Sequence, residues 1–331
     1  MKPTGEIRLL VRDLDAQGDG IGDAVLAGGA PRAPLEVHVA GALPGEEISA
    51  RIDSVSTHRP VAWATMSALH TRSPNRVAPA CRAQGRCGGC VLQHCSVPAQ
   101  VAWKESWLRE FLARHPELGD APLSPMVRSP LSLGYRNNSK LVAARQHPPQ
   151  APSDDTSRVV LGAYARRTHQ VVDLAGCAIT EPPLEAVAST LREILGVHAV
   201  EPYHETRFTG VLRYVVLRSN HRGEVLGTLV TATDSFANGR EIAEELRARH
   251  GNVIGIVQNV NPTRGNALYG SQEKTLGGAP TFEDEIGGVR LRISSRAFFQ
   301  ANRAVAGAAY EQIRLAAALT GRERVVDAFA G

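Results

Sequence analysis

The chain has 331 residues, 43% of them hydrophobic and 21% charged, and a formal charge of +4. Its length allows two or three domains and excludes a single small module, while the composition excludes a disordered chain or a fibre. No apolar run approaches the ~18 residues of a membrane-spanning helix, and residues 1–12 carry Lys2, Glu6, Arg8 and Arg12 instead of the apolar stretch of a secretory signal, so a cytoplasmic protein with no membrane partner is expected.

Residues 6–70 read as short strands separated by glycine-rich turns. Ile7 to Val11 leads to Gln17-Gly18-Asp19-Gly20-Ile21-Gly22, Val37-His38-Val39 leads to Gly41-Ala42-Leu43-Pro44-Gly45-Glu46, and 48–52 alternates. That pattern predicts a small closed β-barrel over 1–70. Residues 71–80, with Pro74 and Pro79, read as a linker. Pro98 opens a helix in which Val101, Trp103, Trp107, Leu108, Phe111 and Leu112 recur at helical spacing before the stop at His115-Pro116, an aromatic stripe expected to be core. Residues 146–157, rich in proline and aspartate, read as a mobile loop.

From Val159 strands and helices mix. Helices are predicted over 183–195 and 241–249, a hairpin pairs 211–218 with 224–233 across Asn220 and Gly223, and 253–260 is a strand. The region 71–288 is therefore expected to be α+β. Residues 289–293 alternate as a strand, Asn302 is placed to cap a helix reaching about Leu319, and 324–331 reads as an apolar strand entering a glycine turn. In α/β proteins such a turn precedes a helix whose N-terminus meets a ligand; with a single glycine, 326–331 is by itself only a weak nucleotide signal.

The five cysteines are Cys81, Cys87, Cys90, Cys95 and Cys177. An odd, clustered set with no secretion signal points to metal or catalysis, not to a disulfide framework. Cys81-x5-Cys87-Gly88-Gly89-Cys90 brings three thiols within ten residues, and the glycines let the backbone fold around one centre. Four thiolates complete a 4Fe–4S or closed zinc site. The fourth is Cys95 or Cys177, and buried cysteines with no ligand role are the plainer alternative. Gln93 and His94 follow the cluster; His94 reads as a residue behind the ligands or on the surface. Phe298-Phe299-Gln300-Ala301-Asn302 reads as two core aromatics before a helix cap, with Gln300 able to hydrogen-bond a polar cofactor beside the 327–331 turn. Tyr135-Arg136-Asn137-Asn138 and Arg213-Tyr214 pair aromatic with basic groups, as RNA surfaces and ordinary solvated edges both do.

These residues together resemble the bacterial RNA uracil-5-methyltransferases, in particular the iron–sulfur 23S ribosomal RNA enzymes with an N-terminal TRAM domain. The resemblance runs in order through Gly18–Gly20, Gly41–Glu46, Cys81-x5-Cys87-Gly88-Gly89-Cys90-x2-Gln93-His94, Tyr135-Arg136-Asn137, Gly176-Cys177, Asn259-x-Asn261, Phe298-Phe299-Gln300-x-Asn302 and Asp327-x-Phe329-x-Gly331. It implies a multidomain protein: an OB-like TRAM β-barrel (1–70), a central α+β domain with an iron–sulfur site (71–288), and the start of a Rossmann-like S-adenosylmethionine domain (289–331). It implies a 4Fe–4S cluster on Cys81, Cys87, Cys90 and Cys177, with Cys95 a bystander. Gln300 and Phe329 fall on positions that contact the methyl donor, and the partner is RNA, 23S ribosomal RNA foremost, with a monomer expected for the full-length protein. The family's nucleophilic cysteine and proton-abstracting glutamate lie beyond the first strand of that last domain, so no catalytic residue is assigned and this chain by itself is expected not to methylate. The alternative reading is a non-catalytic iron–sulfur RNA-binding protein.

Overall fold

The computed structural model describes residues 5–24, 34–118, 122–146, 158–265 and 267–328. All of the expected 146–157 loop except Gln146, and Phe329, lie outside them. By its internal contacts the chain forms two units, 1–126 and 127–331. Among the described residues no helix is long and apolar enough to cross a membrane.

In the first unit, β1 (Glu6–Leu10), β2 (Asp13–Leu14), β3 (Gly20–Ala24), β4 (Leu35–Val39), β5 (Glu47–Val55) and β6 (Val61–Thr71) form one sheet in the order β1-β5-β6-β4-β3-β2. It is antiparallel except for β4 beside β6. Alternation puts Ile7, Leu9, Val37, Val39, Ile48 and Ile52 in its core. The sheet curls until Arg12 N donates to Ile21 O at 2.8 Å. At that approach only glycine fits: a Cβ on Gly22 would lie 2.5 Å from Leu10 O. Helix α1 (Val97–Ala113) starts and stops where predicted, with proline in its first turn. Its stripe is not core, however, because none of its residues is buried. Ala99 and Trp103 pack against Leu14, Leu43 and Leu92, whereas Trp107 and Phe111 stay 43% and 39% exposed.

In the second unit, β7 (Asn138–Gln146), β8 (Arg158–Tyr164), β9 (Val171–Asp173), β10 (Leu212–Ser219), β11 (Val225–Thr231), β12 (Val253–Val260) and β13 (Gln272–Gly278) form a sheet in the order β13-β12-β11-β10-β7-β8-β9. Only β11 and β12 run parallel, joined through helix α3 (Gly239–Arg249). Helices α2 (Pro182–Val197) and α3 bury their apolar stripes on one face, where Leu184, Leu191, Leu195, Leu217 and Ile242 are sealed from water. The expected hairpin is β10 and β11, every residue of which is buried. A second hairpin, β14 (Thr281–Ile286) and β15 (Val289–Ser294), packs Phe282 and Ile293 on Leu226 and Val257. The boundary expected between 288 and 289 falls on its turn, where Gly287 and Gly288 both have positive φ.

Helix α4 (Arg303–Ala317) is capped as predicted: Asn302 Oδ1 accepts from Val305 N. The strand expected from 324 is absent among the described residues; 324–327 has no regular structure, and Val325 and Val326 are exposed. A strand needs a ladder partner for its backbone groups, and none lies beside this segment among the described residues.

Candidate functional sites

The thiol loop of the first unit is anchored through the stretch expected to be a linker. Glu46, fully buried, receives both forks of Arg76 at 2.5 and 2.6 Å, together with the N–H groups of Leu43 and Ser73. Burial alone would raise this carboxyl, but the Arg76 and backbone hydrogen bonds and the Arg76 charge hold it below its ordinary value. Arg76 also reaches Gly41 O at 2.6 Å, so the 41–46 turn is locked to it. The same stretch then runs along the end of the thiol loop, Val77 N donating to His94 O and Ser96 N to Asn75 O. A linker reading fails because these backbone groups have fixed partners.

Cys81, Cys87 and Cys90 are half-buried on successive turns of this loop. Cys81 Sγ accepts from Ala83 N at 3.4 Å and Cys87 Sγ from Gly89 N at 3.3 Å, which fixes both sulfurs against the loop backbone. Gln93 Oε1 holds Cys81 N, while Gln93 Nε2, Gln84 Oε1 and His94 Nε2 are buried without a hydrogen-bond partner among the described residues. His94 is not a surface residue: it is buried, and burial pushes it below its ordinary value, helped by the Arg76 charge. Cys95 is buried among Leu14, Leu43 and Leu92, and burial pushes its thiol up, which makes it a poor nucleophile. Among the described residues no three Cys, His, Asp or Glu side chains converge on one metal ion. Three soft thiols on one short loop are the type of donor that thiolate-bound metals take.

Three of the motifs separate in sequence meet in the second unit. Arg136 N donates to Ile179 O, Gly134 N to Ala178 O and Thr180 N to Cys177 O, so the Cys177 turn lies along 134–136. Asn137, almost wholly buried, sends Nδ2 to Gln300 O at 3.0 Å and its N–H to Ala301 O at 3.0 Å. Asn302 Nδ2 reaches Ser129 Oγ at 3.1 Å. The backbone of 300–302 is thereby fixed at the head of α4, while the exposed Gln300 amide keeps its hydrogen-bonding groups unused among the described residues. Phe299 joins the core beside Leu226 and Val257, but Phe298 is exposed instead of buried.

Sequence reasoning missed the residues that hold this arrangement. Arg303 Nε donates to Asp284 at 3.2 Å, one terminal nitrogen to Glu181 at 2.9 Å and the other to Ser219 O at 2.9 Å. Asp284, itself sealed from water, also receives His221 N at 2.8 Å. A basic residue opening a helix is unfavourable to the helix dipole, which was the available signal that Arg303 had acidic partners. Arg213 and Tyr214 are not an RNA surface: both are buried, Arg213 donating to Asn261 O and Thr263 O. Asn259 and Asn261 are loop staples, Asn259 bonding both backbone groups of Gly270 and Asn261 binding Ala267 O.

No family model matches the chain. It is 33% identical over 329 residues to an uncharacterized RNA methyltransferase of Geobacter sulfurreducens, an alignment covering 98% of this chain and 62% of that protein. It is 32% identical over 333 residues to one of Listeria innocua, covering all of this chain and 69% of that protein. The chain thus spans about two thirds of the length of these curated relatives. Among solved structures, Pyrococcus abyssi tRNA (uracil-54, C5)-methyltransferase in complex with S-adenosyl-L-homocysteine shares the fold, with a TM-score of 0.67 and 22% identity over 93% of this chain and 64% of that one.

Proposed function

The chain belongs to the RNA methyltransferase family, and from that premise we propose that it serves the S-adenosylmethionine-dependent methylation of uracil C5 in RNA, with 23S ribosomal RNA as the substrate. The observation that carries this reading is the meeting of 134–138, 177–181 and 300–302 in one hydrogen-bonded group, which presents the Gln300 amide at the head of α4. The likeness of fold to a tRNA (uracil-54, C5)-methyltransferase holding S-adenosyl-L-homocysteine supports the same chemistry. In this reading Gln300 and Phe329 hold the methyl donor, which supplies an electrophilic methyl group. Asn137 and Asn302 act as positioning residues, fixing the backbone from which Gln300 projects.

The ligand set implied by the resemblance, Cys81, Cys87, Cys90 and Cys177, belongs to the same proposal as a 4Fe–4S site that staples the fold. Methyl transfer moves no net electrons, so no redox role is required of it. Anaerobically purified protein is expected to hold iron and sulfide near about four per chain. Alanine at any of the four positions should lower both, and Cys95→Ala should leave them unchanged.

The deciding experiment is deletion of the gene in its own host. One 5-methyluridine should disappear from 23S ribosomal RNA and return when the gene is restored. Loss from transfer RNA instead would move the substrate class. Unchanged nucleosides in both RNAs would overturn the reading in favour of a non-catalytic iron–sulfur RNA-binding protein. In vitro, Gln300→Ala should weaken S-adenosyl-L-homocysteine binding with no change in melting temperature.

A further inference from the structure

An exposed aromatic ring in the second unit is held in place by features that the methyl-donor segment does not explain. Ahead of β10, His204 N donates to Thr209 O and Phe208 N to His204 O, both at 2.7 Å, closing a tight loop. The loop leaves Phe208 at φ +56°, a left-handed conformation that bulky residues rarely adopt, with its ring 47% exposed. Backbone strain and a solvent-facing apolar ring are both unfavourable to folding, and residues held in such conformations cluster at ligand contacts.

The guanidinium of Arg264 lies over this ring, 4.1 Å from its centre. The loop carrying Arg264 is tied down from inside: Arg213, 4% exposed, donates to the carbonyls of Asn261 at 3.0 Å and Thr263 at 2.7 Å. Glu205, the nearest acid in sequence, is taken up by the Tyr214 hydroxyl at 3.2 Å and lies 4.0 Å from Arg213. Among the described residues no carboxylate lies within ion-pair distance of Arg207 or Arg264. The Arg264 cation thus lies over the exposed ring at the surface, and neither it nor Arg207 has a carboxylate in ion-pair reach among the described residues.

We propose that Phe208 and Arg264 form a stacking platform for an unpaired base of the RNA substrate, with Arg207 and Arg264 facing its phosphates. Unpaired bases are recognised by stacking on aromatic rings and guanidinium planes, and the sequence-independent attraction comes from cations on the backbone. The assignment rests on the RNA methyltransferase reading and adds to it a specific contact surface, away from the Gln300 segment in sequence.

The test is fluorescence anisotropy of the whole chain with a labelled single-stranded RNA of mixed sequence and with a duplex of the same length. Phe208→Ala should weaken single-strand binding by about 5- to 100-fold, the range of one lost base stack, and leave duplex binding unchanged. Phe208→Trp should retain binding. Phe208→Gly, free of the left-handed penalty, should melt no lower than the parent and still bind weakly, which separates a binding role from a folding role. Arg264→Ala should also reduce the salt dependence of binding. Parent binding that Phe208→Ala and Arg264→Ala leave unchanged overturns this platform alone. A parent chain with no affinity for either RNA overturns the RNA reading as well.

Discussion

The thiol loop of the first unit and the Arg303 cluster of the second use their polar atoms in opposite ways. Around Arg303, three guanidinium nitrogens meet Asp284, Glu181 and Ser219, and Asp284 takes a further backbone N–H from His221. In the thiol loop the backbone is well held, yet Gln84 Oε1, Gln93 Nε2 and His94 Nε2 are buried with no partner among the described residues. A saturated cluster fixes backbone geometry, and breaking it leaves a buried charge without its counter-ion. An unsaturated one contributes less to stability through its side chains, and buried polar atoms without partners are where bound chemistry is to be sought.

The largest effect expected from this contrast is at Arg303. Arg303→Ala removes the cation that neutralises buried Asp284, which keeps only its hydrogen bonds from His221 and Glu285, and should cost about 3–5 kcal/mol by urea unfolding; a loss below about 1 kcal/mol would show that the cluster does not depend on the arginine. Asn137→Ala should cost about 1–3 kcal/mol, removing the side-chain donor to the Gln300 carbonyl while the backbone bond to Ala301 remains, and should raise the dissociation constant for S-adenosyl-L-homocysteine although Asn137 is a positioning residue. Asn302→Ala, which removes the α4 cap, should cost about 1 kcal/mol. Gln84→Met in the thiol loop should change stability by less than about 1 kcal/mol, because one of its two polar atoms already lacks a partner. A larger loss there would erase the contrast between the regions.

Acid provides a further test within the first unit. The folded Glu46 carboxyl lies below its ordinary value, so the stability it contributes is complete above the usual carboxylate range and is lost as pH falls through the lowered value. Parent protein should therefore lose stability below about pH 4.5, the ordinary glutamate value, more steeply than Glu46→Gln, compared by urea midpoints across that range.

Much of the secondary structure was legible because it depends on near neighbours. The apolar spacing of 183–195 and 241–249, the Asn220–Gly223 turn between β10 and β11, and the Asn302 cap all act within a few residues. What escaped depends on distant partners. Arg76 meets Glu46 across 30 residues, which turned an expected linker into an anchor. Asn137 meets Gln300 across 163, so two motifs readable separately gave no sign of meeting. The exposure of Trp107 and Phe111, and the burial of Arg213 and Tyr214, follow from which surface each element is offered, something helical or alternating spacing does not contain.

The Arg303 cluster also sets an order on synthesis. Glu181 is made 122 residues before the arginine that neutralises it, and Ser219 84 residues before. At about 5–20 residues per second, Glu181 emerges from the ribosome on the order of ten seconds ahead of Arg303, with Asp284, a second carboxylate bound for the same guanidinium, following in between. Until that arginine arrives, two like charges are being drawn toward one small space. The second unit is therefore expected to complete its packing late, as a step that waits for the head of α4, and a nascent chain halted before residue 303 should be readily cut by protease between β13 and α4.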